Sequence, residues 1–410
     1  MVSRVKVKRR VPSPRDLAQL LRFRKIILSP KTRRLSRALT IYDLRKIAQR
    51  RTPKAPFDYT DGGADSESSL TRARAAYEKI EFQPKVLLNV KEIDISTQML
   101  GKKMSMPFGI APTGFTRMMQ TEGEYAGACA AAGAGIPFTL STMGTRSIED
   151  VARVAPTGRN WFQLYMWKDR DRSMALVDRA KAAGFDTLVL TVDVPVAGAR
   201  LRDVRNGMTI PPSLTSRTIL NAIPRPAWWF NFLTTDPLKF ASLDSWNGTV
   251  ADLLDSMFDP TVTYEDLKWI RQQWKGNLVV KGIQNVEDAV KSIESGADAI
   301  ILSNHGGRQL ERGPVPLELL PDVVAAVGDK IEIYIDGAVL SGQDVYAAIT
   351  LGAKAVFIGR AYLYGLMAGG KDGVQKVIEI LERDLINTMA LTGASSIAEG
   401  QKFGARIRSN

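Results

Sequence analysis

Ala299-Ile300-Ile301-Leu302-Ser303-Asn304-His305-Gly306-Gly307-Arg308-Gln309 runs from an apolar stretch straight into a polar one. The apolar part has the length and β-branched content of a buried strand. The polar part sets an imidazole, a two-glycine turn and a guanidinium at that strand's end. Glycines let backbone approach a ligand closely, and a guanidinium fork suits a carboxylate or phosphate. His305 is the only histidine among 410 residues. A base and an anion clamp on a strand-end loop make a candidate reaction centre.

The same unit recurs along the chain. Candidate strands are Pro107–Ala111, Pro137–Leu140, Trp161–Leu164, Thr187–Val192, Leu278–Val280, Ala299–Leu302, Glu332–Ile335 and Ala355–Ile358. Helical patterns lie near 122–132, 147–153, 170–183, 263–274, 285–295, 315–326 and 342–350, with two more near 361–367 and 373–392. Strands each followed by a helix predict an α/β chain folded as a (β/α)₈ TIM barrel. A doubly wound sheet is disfavoured, because no G-x-G-x-x-G opens a strand–helix turn.

Before the barrel, the pattern predicts an N-terminal helical extension. Asp16–Phe23 reads as a short amphipathic helix, and Thr40 as the N-cap of a helix over Ile41–Arg50 with Asp43 closing a capping box. Pro53 and Pro56 are read as ending that helix, and Asp61-Gly62-Gly63 as a turn before a helix over Ser66–Tyr77. One connection is much longer than the rest. About seventy residues separate the fourth strand from the next helix, a length that marks functional loops. This insertion, about 201–262, contains Pro224-Arg-Pro-Ala-Trp-Trp-Phe-Asn-Phe232. Trp228 and Trp229 beside Arg225 suit a lid, a subunit contact or a membrane interface. The expected organisation is a basic arm over 1–38, the barrel over 39–395 and a C-terminal tail over 396–410.

Composition narrows the function. An apolar fraction of 45% supports a large core. The lone Cys129 leaves no internal disulfide and no cysteine cluster, and one histidine cannot supply bis-histidine haem ligation. No metal site is expected. Residues 1–54 hold 18 Lys/Arg against Asp16 and Asp43, whereas the remainder holds 38 basic and 41 acidic residues. The basic character therefore belongs to the arm, which could meet anionic lipid or an acidic partner. Nucleic acid is not an expected partner, since Phe23 is the arm's only stacking aromatic. No run reaches the ~18 apolar residues of a spanning helix. No apolar segment follows Lys8-Arg9-Arg10, so no secretory signal is expected.

In a barrel the reacting groups sit at the C-terminal ends of the strands. Those ends read Ala111-Pro112-Thr113-Gly114, Ser141-Thr142, Gln163-Leu164-Tyr165, Thr191-Val192-Asp193, Lys281-Gly282, Ser303-Asn304-His305, Asp336-Gly337 and Gly359-Arg360. Polar or ionisable residues appear wherever an apolar run stops.

Ser303–Gln309 resembles the active-site signature of the FMN-dependent 2-hydroxy-acid dehydrogenases and oxidases, and the resemblance extends from about residue 40 to 395. It implies FMN as cofactor and oxidation of an L-2-hydroxy acid. His305 would be the base, Asp193 the carboxylate behind it, and Tyr165 a hydrogen-bond partner of the reacting oxygen. Tyr59 and Arg308 would hold the substrate carboxylate, and Arg200 would meet the substrate at the mouth of the site. Ala111, Pro112, Thr113, Ser141, Gln163, Thr191, Lys281 and Ser303 would hold the flavin ring, and Asp336, Gly337, Gly359 and Arg360 the ribityl phosphate end. The pattern is most similar to the quinone-linked L-lactate dehydrogenases of the family. That implies L-lactate as substrate, quinone as acceptor, a homotetramer, and a cytoplasmic protein placed peripherally on the inner membrane's cytoplasmic face. An oxygen-using oxidase and a member acting on a peptide-derived cofactor precursor are the alternatives. Oxidases of the family often carry Ala where this chain has Gly114. Many relatives carry an arginine where this chain has Leu340, so a second phosphate-binding arginine is missing from that loop.

Overall fold

The computed structural model describes residues 7, 9–20, 27–207, 220–241 and 258–408. The chain divides into two compact units, residues 1–37 and 38–410. The first contains helices Pro14–Leu20 and Pro30–Leu35, the second of them capped by Ser29. Part of the expected Asp16–Phe23 helix, with Phe23 itself, lies outside the described residues, as do 208–219 and 242–257 of the insertion.

In the second unit eight parallel strands close a barrel in sequence order: β1 Phe108–Ile110, β2 Phe138–Ser141, β3 Asn160–Leu164, β4 Thr187–Thr191, β5 Asn277–Ile283, β6 Ala299–Leu302, β7 Glu332–Asp336 and β8 Ala355–Ile358. β8 returns to pair with β1, Val356 opposite Phe108. The strands are buried on both faces, which is why they read as continuous apolar runs without alternation. Trp161, Val189, Val279, Ile301, Tyr334 and Phe357 pack in the barrel's interior. The Trp161 ring lies 5.2 Å from Phe357 and 6.1 Å from Tyr334. A short hairpin, Thr97–Met99 with Lys102–Met104, adds Met99 and Met104 to this cluster. The packed interior leaves the opposite, C-terminal mouth for chemistry.

Two elements differ from expectation. The Thr40–Asp43 capping box forms as expected and starts helix Ile41–Arg51. That helix stops before Pro53 as expected, but Pro53 and Pro56 also begin a further helix, Lys54–Asp61, where a loop was expected. A proline in a first turn costs no hydrogen bond, because those N–H groups have no intrahelical partner. Phe57, Asp58 and Tyr59 therefore ride on a helix. Of residues 396–410, Ile397–Phe403 is helical and Ala405–Ile407 pairs antiparallel with Ile80–Phe82.

Candidate active site

β6 ends at Leu302, and the next residues turn sharply. His305, Gly306 and Gly307 have φ of 57°, 61° and 72°, a left-handed run that only glycine adopts freely. Holding His305 there costs on the order of 1 kcal/mol, offset by local hydrogen bonds. Its amide donates to Ser303 Oγ at 3.0 Å, and the Gly307 amide donates to Asn304 Oδ1 at 3.0 Å. The turn presents the His305 ring to a cavity of about 1050 Å³ at the C-terminal mouth of the barrel.

His305 Nδ1 lies 3.1 Å from Asp193 Oδ1. Asp193 follows β4, and its side chain is fully shielded from solvent. Burial pushes its carboxyl up, but the neighbouring His305 and Lys281 outweigh this and leave it below the usual carboxylate range. An ionised Asp193 calls for a proton on Nδ1, which leaves Nε2 as the ring's basic atom. Gly282 makes room for this carboxylate. It has φ of 110°, and a Cβ there would sit 2.7 Å from Asp193 Cβ. Gly282→Ala is expected to lower stability by about 1–3 kcal/mol and to displace Asp193, seen as a lower thermal midpoint together with slower turnover. Gln309 braces the same loop, its Nε2 donating to Val196 O at 2.9 Å and its Oε1 accepting from the Gly198 amide at 3.1 Å.

Across the cavity stands a group of cations. The Tyr59 ring has two guanidinium groups beside it, Arg308 at 4.7 Å and Arg200 at 5.4 Å from its centroid. Arg308 donates to the carbonyls of Tyr59 and Gly62. Burial, and then the neighbouring Arg200 charge, pushes the Arg308 guanidinium down to about 10. An anion entering here would relieve that repulsion. Tyr165, also on the cavity wall, is pushed up by burial and by the nearby Asp193 charge, so it stays protonated as a donor.

The remaining strand ends form a polar floor. Lys281 is 4% exposed at its side chain; its Nζ donates to Ser303 Oγ at 2.9 Å and lies 3.2 Å from Asp336 Oδ2. Burial pulls Lys281 down, but Asp336 and Asp193 outweigh it and hold it charged. Ser141 Oγ donates to Gln163 Oε1 at 3.0 Å. Gln163 Nε2, Thr191 Oγ1 and Asp336 Oδ1 are buried and have no protein partner among the described residues. Such orphaned groups are uncommon in a folded interior. A donor amide, a hydroxyl and a lysine converging there match the polar edge of an isoalloxazine ring. Beside them run Ala111, Pro112 and Thr113. A Cβ on Gly337 or Gly359 would meet nothing closer than 3.9 Å, so the wall is open where a ribityl phosphate would lie. These residues fit FMN.

The structure thus places Tyr59, Ser141, Tyr165, Arg200, Lys281, His305 and Arg308 in the wall of one cavity with Ala111–Thr113, Asp336, Gly337, Gly359 and Arg360. Asp193, Gln163, Thr191 and Ser303 stand directly behind that wall. Gly114 serves packing, since a Cβ there would lie 2.9 Å from Met143 Cβ. Sequence reasoning missed Met143, Lys168, Phe258 and Pro260, which also line the cavity. Phe258 packs edge-on against Tyr165 at 5.7 Å. It missed Arg45, Arg74 and Arg202 on the far wall as well; nothing in the spacing of these three marks them.

The insertion contributes helix Pro226–Thr234, which has no buried residue. Trp228 Nε1 donates to Met118 O at 2.9 Å, and Phe240 packs 4.5 Å from Phe115. Trp229, Phe230 and Leu233 are 38%, 59% and 67% exposed.

Comparison with known proteins agrees with this geometry. The FMN-dependent dehydrogenase family is matched over residues 48–403. A Mycobacterium tuberculosis (strain ATCC 25618 / H37Rv) protein provisionally named an L-lactate dehydrogenase is 59% identical over 96% of this chain and 95% of its own length. The L-lactate dehydrogenase of Ectopseudomonas mendocina (strain ymp) is 43% identical over 87% of this chain and 96% of its own. Among solved structures, a monotopic membrane protein, (S)-mandelate dehydrogenase, superposes with a TM-score of 0.87 at 38% identity, covering 91% of this chain and all of that one. A mandelate oxidase superposes at 0.80 with 35% identity, covering 91% of this chain and 100% of that one. The barrel, the polar floor and this match over most of the chain have one reading: the protein is an oxidoreductase of the FMN-dependent dehydrogenase family.

Proposed function

We propose that this chain oxidises L-lactate to pyruvate and passes the electrons to a quinone at a membrane surface. The observation that carries the chemistry is the His305–Asp193 pair, 3.1 Å apart, in one cavity with the Arg308–Tyr59–Arg200 group. The two guanidinium groups bind the substrate carboxylate and so fix the α-carbon in place. His305 Nε2 removes a proton from the substrate, and Asp193 stabilises the imidazolium that results. Tyr165 donates a hydrogen bond to the reacting oxygen. FMN held on the polar floor would supply the acceptor for the two electrons and the second hydrogen, and Lys281 would place a positive charge against its polar edge. The names of the two sequence relatives favour lactate.

The acceptor and the location rest on the insertion. Helix Pro226–Thr234 turns Trp229, Phe230 and Leu233 to solvent, with Leu220 and Ile223 exposed nearby. An apolar surface of this kind suits burial at a lipid interface, and a structural neighbour is a monotopic membrane protein. Among the described residues no helix is long and apolar enough to cross a membrane. The basic arm adds attraction to anionic lipid on a cytoplasmic face.

The test uses anionic vesicles containing a quinone. The wild-type protein is expected to pellet with them and to reduce the quinone when L-lactate is added. A Trp229→Ser/Phe230→Ser/Leu233→Ser variant is expected to lose at least about tenfold in vesicle affinity and to keep turnover with a soluble dye. Rapid reoxidation by air with no quinone reduction would instead assign oxygen as acceptor.

A further inference from the structure

The cavity's far wall is formed by the loop after β7, Gly337 to Leu340, and by Gly359 and Arg360 after β8. Barrels commonly hold phosphate at this corner. Helix Arg360–Gly369 begins here without a side-chain cap, so its first amides and positive dipole end suit an anion. The basic side chains do not at first look sufficient. Leu340 is apolar. Arg360 already donates to three backbone carbonyls, Thr60 at 3.0 Å, Gly306 at 2.8 Å and Gly62 at 2.7 Å.

A carboxylate on the following helix, Gly342–Thr350, also bonds this loop. Asp344 Oδ2 accepts from the Leu340 amide at 2.8 Å, which ties a carboxylate to the segment that must receive a phosphate dianion. Three other arginines line this end of the cavity. Arg45 pairs with Asp61 at 2.6 Å, and Arg202 pairs with Asp61 and Glu67, all on the 58–67 segment. Arg74, from helix Ser68–Glu78, is the one of the three that bonds the β7 loop. Its Nη1 donates to Ala338 O at 2.8 Å and to Asp344 Oδ2 at 2.7 Å, and its Nη2 to Asp344 Oδ1 at 2.6 Å.

We propose that Arg74 is the second basic group of the FMN phosphate site, supplied by an N-terminal helix in place of a basic residue at Leu340. It cancels the Asp344 carboxylate beside the phosphate and holds the Ala338 carbonyl, which fixes the loop's amides for the anion. Charge is thus delivered across the barrel wall and not from the loop itself.

Riboflavin, which lacks the phosphate, separates this role from packing. Flavin-free full-length protein is titrated with FMN and with riboflavin, following flavin fluorescence. The wild-type titration shows by itself whether FMN binds. In Arg74→Gln the preference for FMN over riboflavin is expected to fall about ten- to a hundred-fold, with riboflavin affinity little changed. Asp344→Asn removes the opposing charge, and in it the preference is expected to rise. An unchanged preference in both variants, or a loss of FMN and riboflavin in equal measure in Arg74→Gln, overturns the proposal. Because the ratio is read within each protein, a general loss of stability does not imitate the effect.

Discussion

His305→Gln is expected to lower the rate of flavin reduction by about 10²–10⁴-fold, the usual contribution of a positioned general base, with FMN still bound. Glutamine can fill the space and accept a hydrogen bond, but it cannot take a proton. His305 is the chain's only histidine, so no second imidazole can substitute. The polar floor around Lys281, Ser303 and Asp336 does not use the imidazole ring. Rapid mixing of substrate with the holoenzyme, followed at the flavin absorbance, separates the two effects. A slow reduction at full flavin occupancy matches the assigned role. Reduction within tenfold of wild type would remove His305 as the base. Asp193→Asn is expected to be less severe, because it weakens the imidazolium without deleting the base.

Arg308→Met is expected to lower kcat/KM by about 10³-fold, from a lost charge-assisted bond and a misplaced α-carbon. Arg200 also lies beside Tyr59, 5.4 Å from its ring centroid, and keeps part of the attraction for the carboxylate. The loss should therefore depend on the substrate's charge: a hydroxy amide, with no anion to bind, is expected to lose much less than the acid. Steady-state comparison of an acid with its amide in both proteins checks this. Equal losses for the two would assign Arg308 to holding the Tyr59 and Gly62 carbonyls and not to the substrate.

The barrel was legible because its strands are buried on both faces. Runs such as Ala299–Leu302 and Ala355–Ile358 can hardly be anything else between glycines and helical patterns, and both match the structure to the residue. His305 and Asp193, far apart in sequence, could be paired only through resemblance. Their 3.1 Å contact depends on Gly282, whose role appears only once β4 and β5 lie side by side. The helix at Lys54–Asp61 was missed because a proline that breaks a helix interior also starts a helix well. The far wall was missed for a different reason. Arg45, Arg74 and Arg202 sit on helices whose local pattern is that of solvated faces, and only the tertiary fold brings them to the cavity. Leu340 was visible as a departure, but the residue that answers it lies 266 positions earlier and bonds the loop through Asp344.

The most direct test of the function is anaerobic. The yellow holoenzyme is mixed with L-lactate, and separately with D-lactate, and the flavin absorbance is followed. The expected result is bleaching with L-lactate at a rate that saturates with concentration, and none with D-lactate on the same timescale. A flavoprotein that stays yellow with L-lactate and with larger L-2-hydroxy acids alike would contradict the assignment of His305, Arg308 and Arg200 to hydroxy-acid oxidation.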